Sequence, residues 1–259
     1  PHSNPNLDSG DPTNLQTFCL THDFEMAFAA AGSWRLGRTS GFHSPQVCNT
    51  SRVSRKSMSV VVMSNVNVLV PVGNGSEEIE TVTIIDTLVR AGANVTVASV
   101  EEDLQVTASR GVKIVADKAI GDCLDSPWDL IALPGGMPGA ENLRNSSDLA
   151  HLLKHQNGQD KRIGAICASP AVVLASHGLL NDRQATCYPA PQFLDQLPNP
   201  IDDDDVPVVV SGNITTSRGP GTALVFSLNL VHQLFGKAKA DELAAVMLLD
   251  MNESWMPSE

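Results

Sequence analysis

The sequence predicts an α/β fold, a mostly parallel sheet with helices on both faces. Three observations predict it. From Val66 onward, short β-branched runs alternate with segments of helical period, the pattern of repeated βαβ units. The runs are apolar with little interruption, as strands buried on both faces are. Turns of Gly and other small residues follow several of them, where such sheets place their ligand sites.

In chain order, Val66–Val72 (VNVLVPV) is the first strand and Gly73–Ser76 its turn. Glu77–Arg90 is a helix, because Ile79, Val82, Ile85 and Val89 form a helical stripe ended by Gly92. Val95–Val100 is a second strand, and Val112–Val115 a short third one of antiparallel character. Asp129–Leu133 closes on Pro134-Gly135-Gly136. Ser147–Gln156 is helical, and Arg162–Ile166 is a strand that meets Cys167. Pro170 suits the first turn of a helix running to about His177. Ala185–Cys187, Val206–Val210 and Ile214–Thr216 are further strands, and Thr222–Phe235 and Lys237–Leu249 are closing helices. The stretch 66–250, about 185 residues, can bury roughly 70% of its unfolded surface, enough for one core.

The chain has 259 residues with 17 basic and 29 acidic side chains, but the charge is unevenly spread. Pro1–Glu25 holds four acids and no Lys or Arg, whereas Met26–Met63 holds five basic residues and no acid. The second stretch is Ser- and Arg-rich, the composition of an organelle transit peptide. Residues 1–65 are therefore expected to be a disordered leader with a transit peptide at 26–63, natural translation starting at Met26. Chloroplast stroma is the expected destination, with cytoplasm or mitochondrion as alternatives. From Ser64 on, 25 acids face 12 basic residues, and aromatics make up only 4% of the chain. That balance argues against nucleic acid, which wants a basic face and stacking rings. No apolar run reaches the roughly 18 residues of a membrane helix. Five irregularly spaced Cys without C-x-x-C give neither a disulfide framework nor a zinc site.

Cys167 is the most informative residue. It follows IGAI and precedes a helix, with small neighbours Ala165, Ala168 and Ser169, as in a nucleophile elbow. A helix N-terminus favours thiolate over thiol; a buried core cysteine is the plainer alternative. Glu80 lies one turn into the first helix, where Glu77 or Glu78 serves as a cap. Facing Cys167 across the sheet edge, Glu80 would be desolvated and its pKa raised, ready to exchange a proton. Gly135 and Gly136 can turn a backbone N–H into the site as an oxyanion donor. The acids after Gly73-x-Gly75 would repel phosphate and no full dinucleotide fingerprint is present, so nucleotide binding is rejected. Arg110 and Arg218 could bind an anionic group or pair with acids. His151 and His155, four apart on one helix, are read as surface histidines rather than metal ligands, and no metal site is expected. Asp202–Asp205 is read as a solvated loop.

Five motifs then follow in order: GSEEIET at 75–81, VTVASV at 95–100, DLIALPGGMPGAENL at 129–143, AICASPA at 165–171 and TSRGPGTA at 216–223. Together they resemble the ThiJ/PfpI superfamily, in its Parkinson-disease-associated deglycase and glyoxalase III branch (the DJ-one group), plant type. The resemblance spans 66–250 and implies a flavodoxin-like three-layer sandwich, usually a homodimer, with an oxidisable elbow Cys. It makes Cys167 the nucleophile and Glu80 the carboxyl bonded to its sulfur. Gly136 and Ala168 match the oxyanion-forming amides. Gly135, Arg110, Ser217 and Arg218 match residues binding substrate or sulfinate, the last three on the dimer-facing side. Where many members carry His before Pro, this chain reads Cys187-Tyr188-Pro189; a phenol, with an ordinary pKa of about 10, is a poor base near neutrality. Residues 251–259 resemble a tail or the stub of the linker between tandem copies. The protease pattern of Cys followed by His is absent, since Ala168 follows Cys167.

Two functions follow from the resemblance. One is a glyoxalase III or deglycase enzyme acting on methylglyoxal, glyoxal or their early protein adducts, without metal, nucleotide or glutathione. The other is a thiol-based oxidative-stress sensor or chaperone-like protein. A vestigial site on a stable fold is the remaining possibility.

Overall fold

The computed structural model describes residues 66–249. The leader expected at 1–65, its transit peptide at 26–63, and the tail at 251–259 lie outside the described residues.

The first strand, β1 (Asn67–Val72), leads into α1 (Glu78–Ala91). β2 (Asn94–Ser99) follows, then β3 (Gln105–Thr107), β4 (Lys113–Val115) and the two-residue β5 (Lys118–Ala119). β6 (Leu130–Leu133) precedes α2 (Gly139–Asn145) and α3 (Ser147–Gly158). β7 (Arg162–Ile166) meets a short wide-turned helix at Pro170–Ala175, the elbow helix, and then α4 (Pro191–Leu194). β8 (Val208–Ser211), β9 (Ile214–Ser217), α5 (Ala223–Phe235) and α6 (Lys237–Val246) complete the order.

Among the described residues, seven strands form one sheet in the order β5-β2-β1-β6-β7-β9-β8. All its pairings are parallel except β8 with β9. Successive side chains alternate between the two faces, and the central strands are apolar on both. Val68, Val70 and Val72 of β1 enter one core with Leu130 and Ala132 of β6, beneath α1, α5 and α6. Leu69, Ile131 and Leu133 enter the other, beneath α2, α3 and the elbow helix. Two cores around one sheet make a three-layer sandwich.

Four details depart from the sequence reading. The stripe on α1 marks the helix but not its buried side: Ile79, Val82 and Val89 are 56%, 52% and 53% exposed. The side turned inward carries Glu80, Thr81, Ile84, Thr87 and Leu88. Ala185–Cys187 is not a strand, because its backbone bonds go elsewhere. Ala185 makes a single bridge with Pro200, and the Thr186 amide donates to the Thr216 hydroxyl. The strand expected from Val206 begins at Val208, after Pro207, which has no N–H to give a ladder. β4 pairs antiparallel with β3 in a hairpin outside the main sheet.

Candidate active site

The loops after β1, β6, β7 and β9 converge at the carboxyl edge of the sheet. Cys167 is at their centre with φ of 63°, a left-handed conformation uncommon for a residue with a side chain. Backbone bonds hold it there. Its N–H donates to the Ser217 carbonyl at 3.0 Å, and its carbonyl accepts from the Tyr188 N–H at 2.8 Å. The Ser169 hydroxyl donates to the Pro134 carbonyl at 2.5 Å, tying the elbow to the loop after β6.

The two glycines of that loop allow the approach. A Cβ on Gly135 would lie 2.6 Å from Cys167 Cβ. Gly136 has φ of 90°, and a Cβ there would lie 2.6 Å from the Glu77 nitrogen and meet the Gly75 carbonyl. The Glu77 N–H donates to the Gly135 carbonyl at 2.9 Å. Packed in this way, the loop directs the Gly135 amide to Glu80 Oε2 at 2.7 Å, not to a substrate. The amides of Gly136 and Ala168 are the two that hydrogen-bond the Cys167 sulfur.

Glu80 is fully buried. Its Oε1 has no hydrogen-bond partner, and the Cys167 thiol hydrogen-bonds the carboxyl beside Gly135. Burial pushes Glu80 from its ordinary 4.5 up to about 7, with the Glu77 charge adding and the bonds from Gly135 and Cys167 opposing. Cys167 is 9% exposed. Burial raises its thiol well above the ordinary range, and the Glu80 charge and hydrogen bond act in the same direction against the two amides. This corrects the expectation that the helix end favours thiolate, because desolvation outweighs the helix end. Both groups resist ionising together, so above about pH 7 the pair keeps one proton, which rests on the sulfur and can pass to Glu80. With that proton on Glu80, repulsion from its charge is gone, and the Gly136 and Ala168 amides remain to stabilise sulfur anion.

A pocket of about 270 Å³ opens above this pair. Gly136, Cys167, Ala168, Glu77, Ser109 and Arg110 line it. Met137, Tyr188, Phe193 and Pro220 complete the lining. Tyr188 is 44% exposed and meets Phe193 edge-on, ring centroids 6.2 Å apart. A larger cavity of about 680 Å³ sits at the opposite, amino edge of the strands beside Val66, Asp129, Arg162 and Gly212; it includes none of the expected site residues.

The structure thus brings together Cys167, Glu80, Gly135, Gly136, Ala168, Arg110 and Tyr188. It directs the side chains of Ser217 and Arg218 elsewhere. The Ser217 hydroxyl donates to the Pro207 carbonyl at 2.7 Å and lies 2.7 Å from the Thr222 hydroxyl. The Arg218 guanidinium pairs with Asp204 at 2.5 Å and Asp202 at 3.7 Å, and donates to the Asp203 carbonyl. The acidic run is therefore more than a solvated loop, since it clamps Arg218. Within one chain, Ser217 serves the site through its carbonyl.

Of the two acids read as candidate caps, the structure uses one as the cap and gives the other a different task. Glu77 is the cap of α1, its carboxylate accepting from the Glu80 N–H at 2.8 Å. Glu78 accepts from the Ser109 hydroxyl and the Arg110 N–H, both at 2.7 Å. Burial would raise Glu78, but the hydrogen bonds from Ser109, Arg110 and their neighbours together hold it below the ordinary range. The GSEEIET run held that signal: three acids on one helical turn cannot all cap. His151 and His155 are exposed and stacked, ring centroids 6.5 Å apart. Among the described residues, no group of three or more His, Cys, Asp or Glu is arranged to hold a metal ion. No described helix is long and apolar enough to cross a membrane.

Comparison with known proteins follows the same geometry. Residues 66–233 match the family model described as DJ-1/PfpI family. The chain is 44% identical over 204 residues to Protein DJ-1 homolog B of Arabidopsis thaliana, covering 78% of this chain and 46% of that protein. It therefore spans about half the length of that relative. It is 37% identical over 174 residues to the glutathione-independent glyoxalase DJR-1.2 of Caenorhabditis elegans, covering 67% of this chain and 91% of that one. Among solved structures, oxidized Toxoplasma gondii DJ-1 is 50% identical with a TM-score of 0.69, covering 72% of this chain and all of that one. The flavodoxin-like sandwich implied by the motifs is thus the observed fold. The chain belongs to the DJ-1/PfpI family, on its plant-type branch.

Proposed function

We propose that this chain is a cofactor-independent glyoxalase III or deglycase enzyme that adds Cys167 to reactive dicarbonyls. The observation that carries the reading is the buried Cys167–Glu80 pair, hydrogen-bonded to each other with the amides of Gly136 and Ala168 on the sulfur. The C. elegans relative, named a glutathione-independent glyoxalase, supports it.

The Cys167 sulfur adds to the aldehyde carbon of methylglyoxal, and the Gly136 and Ala168 amides hold the developing oxyanion. Protonated Glu80 passes its proton to that oxygen, giving a neutral hemithioacetal and a carboxylate. The carboxylate removes the hydrogen on the same carbon as a proton while the hydroxyl proton passes to the neighbouring oxygen, and Glu80, after exchanging with solvent, protonates the neighbouring carbon, leaving a thioester. Water cleaves the thioester to D-lactate and restores the thiol. Glyoxal gives glycolate in the same way, and neither metal, nucleotide nor glutathione takes part. Early glyoxal adducts of protein thiols and amines are open to the same addition. Arg110, an exposed cation on the rim, suits substrate oxygens. Proton NMR in deuterium oxide tests the shuttle. The account expects solvent deuterium at lactate C2, whereas lactate retaining its hydrogen there in full would contradict it.

One observation favours a second reading, a thiol-based stress sensor. Cys167 retains 9% exposure while Cys123 and Cys187 have none, and the same amides with Glu80 suit a sulfinate. Mass spectrometry after mild peroxide should find Cys167 modified first; oxidation of Cys123 or Cys187 with Cys167 intact would end that reading. The exposed stripe Ile79, Val82 and Val89 suits burial in a homodimer. For the leader we retain organelle import, with chloroplast stroma first, which imaging of a fusion of residues 26–65 would test.

A further inference from the structure

We infer that the pocket over Cys167 selects α-oxoaldehydes carrying an aromatic or other flat apolar substituent over methylglyoxal and glyoxal, with Phe193 and Tyr188 as the selecting residues. The inference rests on the thiol-addition reading above and names its substrate class.

Size is the first support. At about 30 Å³ per water-sized group, a pocket of about 270 Å³ admits roughly nine such groups, so methylglyoxal fills only part of it. The second support is the division of its lining. Around the sulfur the lining is polar, with the Gly136 and Ala168 amides on the sulfur itself, and Glu77, Ser109 and Arg110 line the same pocket. The rest of the lining, Met137, Phe193, Pro220 and the Tyr188 ring, is apolar apart from the phenol hydroxyl. There Met137 is 43% and Tyr188 44% exposed, and Phe193 is only partly covered by the core.

Tyr188 and Phe193 meet at an interplanar angle of 88°. Together they form a corner that offers a ring face and a ring edge, the two approaches a third aromatic ring prefers. Phe193 is held there by backbone. α4 starts on Pro191, and the Phe193 N–H donates to the Ala190 carbonyl at 2.9 Å. The Tyr188 N–H donates to the Cys167 carbonyl, which ties the Tyr188 backbone to the elbow. Cys167, Tyr188 and Phe193 line one pocket, so a substituent on the carbonyl attacked by Cys167 shares that space with the two rings.

The test compares phenylglyoxal, methylglyoxal and glyoxal as substrates of the protein and of its Phe193→Ala and Phe193→Leu variants. We expect kcat/KM for phenylglyoxal to exceed that for methylglyoxal by about tenfold, the scale of discrimination in apolar pockets. Phe193→Ala should lower the phenylglyoxal-to-glyoxal ratio by about tenfold. Phe193→Leu keeps the core contact but loses the ring, and should lower the ratio as well. Turnover of methylglyoxal as fast as phenylglyoxal, or a ratio unchanged in both variants, overturns the inference and leaves thiol addition standing.

A second arm does not need turnover. The alkylation rate of Cys167 by phenacyl bromide, relative to chloroacetone and normalised to free glutathione, should favour the aromatic reagent by about tenfold. If that preference appears while none of the three aldehydes is consumed, the glyoxalase reading fails and the pocket's selectivity stands. A normalised ratio near one overturns the selectivity.

Discussion

Replacing Glu80 by Gln isolates the charge of the buried carboxyl. The side chain keeps its shape, and its amide oxygen can still accept from the Gly135 N–H that now lies 2.7 Å from Oε2. What disappears is ionisation. In the folded protein Glu80 titrates at about 7 instead of 4.5, so over that interval the folded state holds a proton that the unfolded chain has released. Stability conferred by this group is therefore full below about pH 4.5 and falls as pH rises through 7. The loss amounts to about 3 kcal/mol, at about 1.4 kcal/mol for each tenfold change in proton affinity. Gln cannot lose it. Urea denaturation of both proteins from pH 4.5 to 8 measures the difference, and the variant should gain about 3 kcal/mol on the wild type across the range. In the melting midpoint that is about 6–12 °C for a domain of this size. The same substitution should lower methylglyoxal turnover by about 10²–10⁴-fold through loss of the proton carrier. A stability difference that does not change with pH would refute the buried-carboxyl account, whatever happened to activity.

Three further outcomes follow from the geometry. Gly136→Ala forces a Cβ against the Gly75 carbonyl and the Glu77 nitrogen at φ of 90°, and should cost about 2–3 kcal/mol by urea titration. Val82→Lys places a charge on the exposed stripe of α1 and should shift the sedimentation coefficient from dimer to monomer with the circular dichroism spectrum unchanged. Tyr188→His supplies a group that titrates near neutrality and should raise glyoxal turnover at pH 7 by about tenfold; an unchanged rate would leave Glu80 as the sole proton carrier.

The sheet was legible because its central strands carry apolar side chains on both faces. β1, β2, β6, β7 and β9 stand close to where the β-branched runs put them. β3 and β5 are three and two residues long, too short for alternation to register, and α2 begins inside the Gly-Met-Pro-Gly turn, where helical period is hidden. The α1 stripe misleads about direction for a functional reason: the helix turns Glu80, Thr81 and Thr87 inward beside Ile84 and Leu88, and leaves Ile79, Val82 and Val89 outside. At the site, Cys167, Glu80 and Gly136 were legible because each ends or follows a recognisable element. The task of the Gly135 amide and the clamp made by Glu78 were not, since both depend on contacts across 55 and 31 residues of chain. The thiol's direction of shift was misjudged because a helix end is visible in sequence and burial is not. Arg218 and the acids 202–204 pair across two loops, which neither loop's composition discloses.

The most direct test of the central claim is lactate formation from methylglyoxal in the absence of glutathione, by the wild type beside Cys167→Ala. The account predicts that the variant, folded as judged by its melting transition, forms no lactate above the uncatalysed rate. Lactate formed by the variant at the wild-type rate would contradict it.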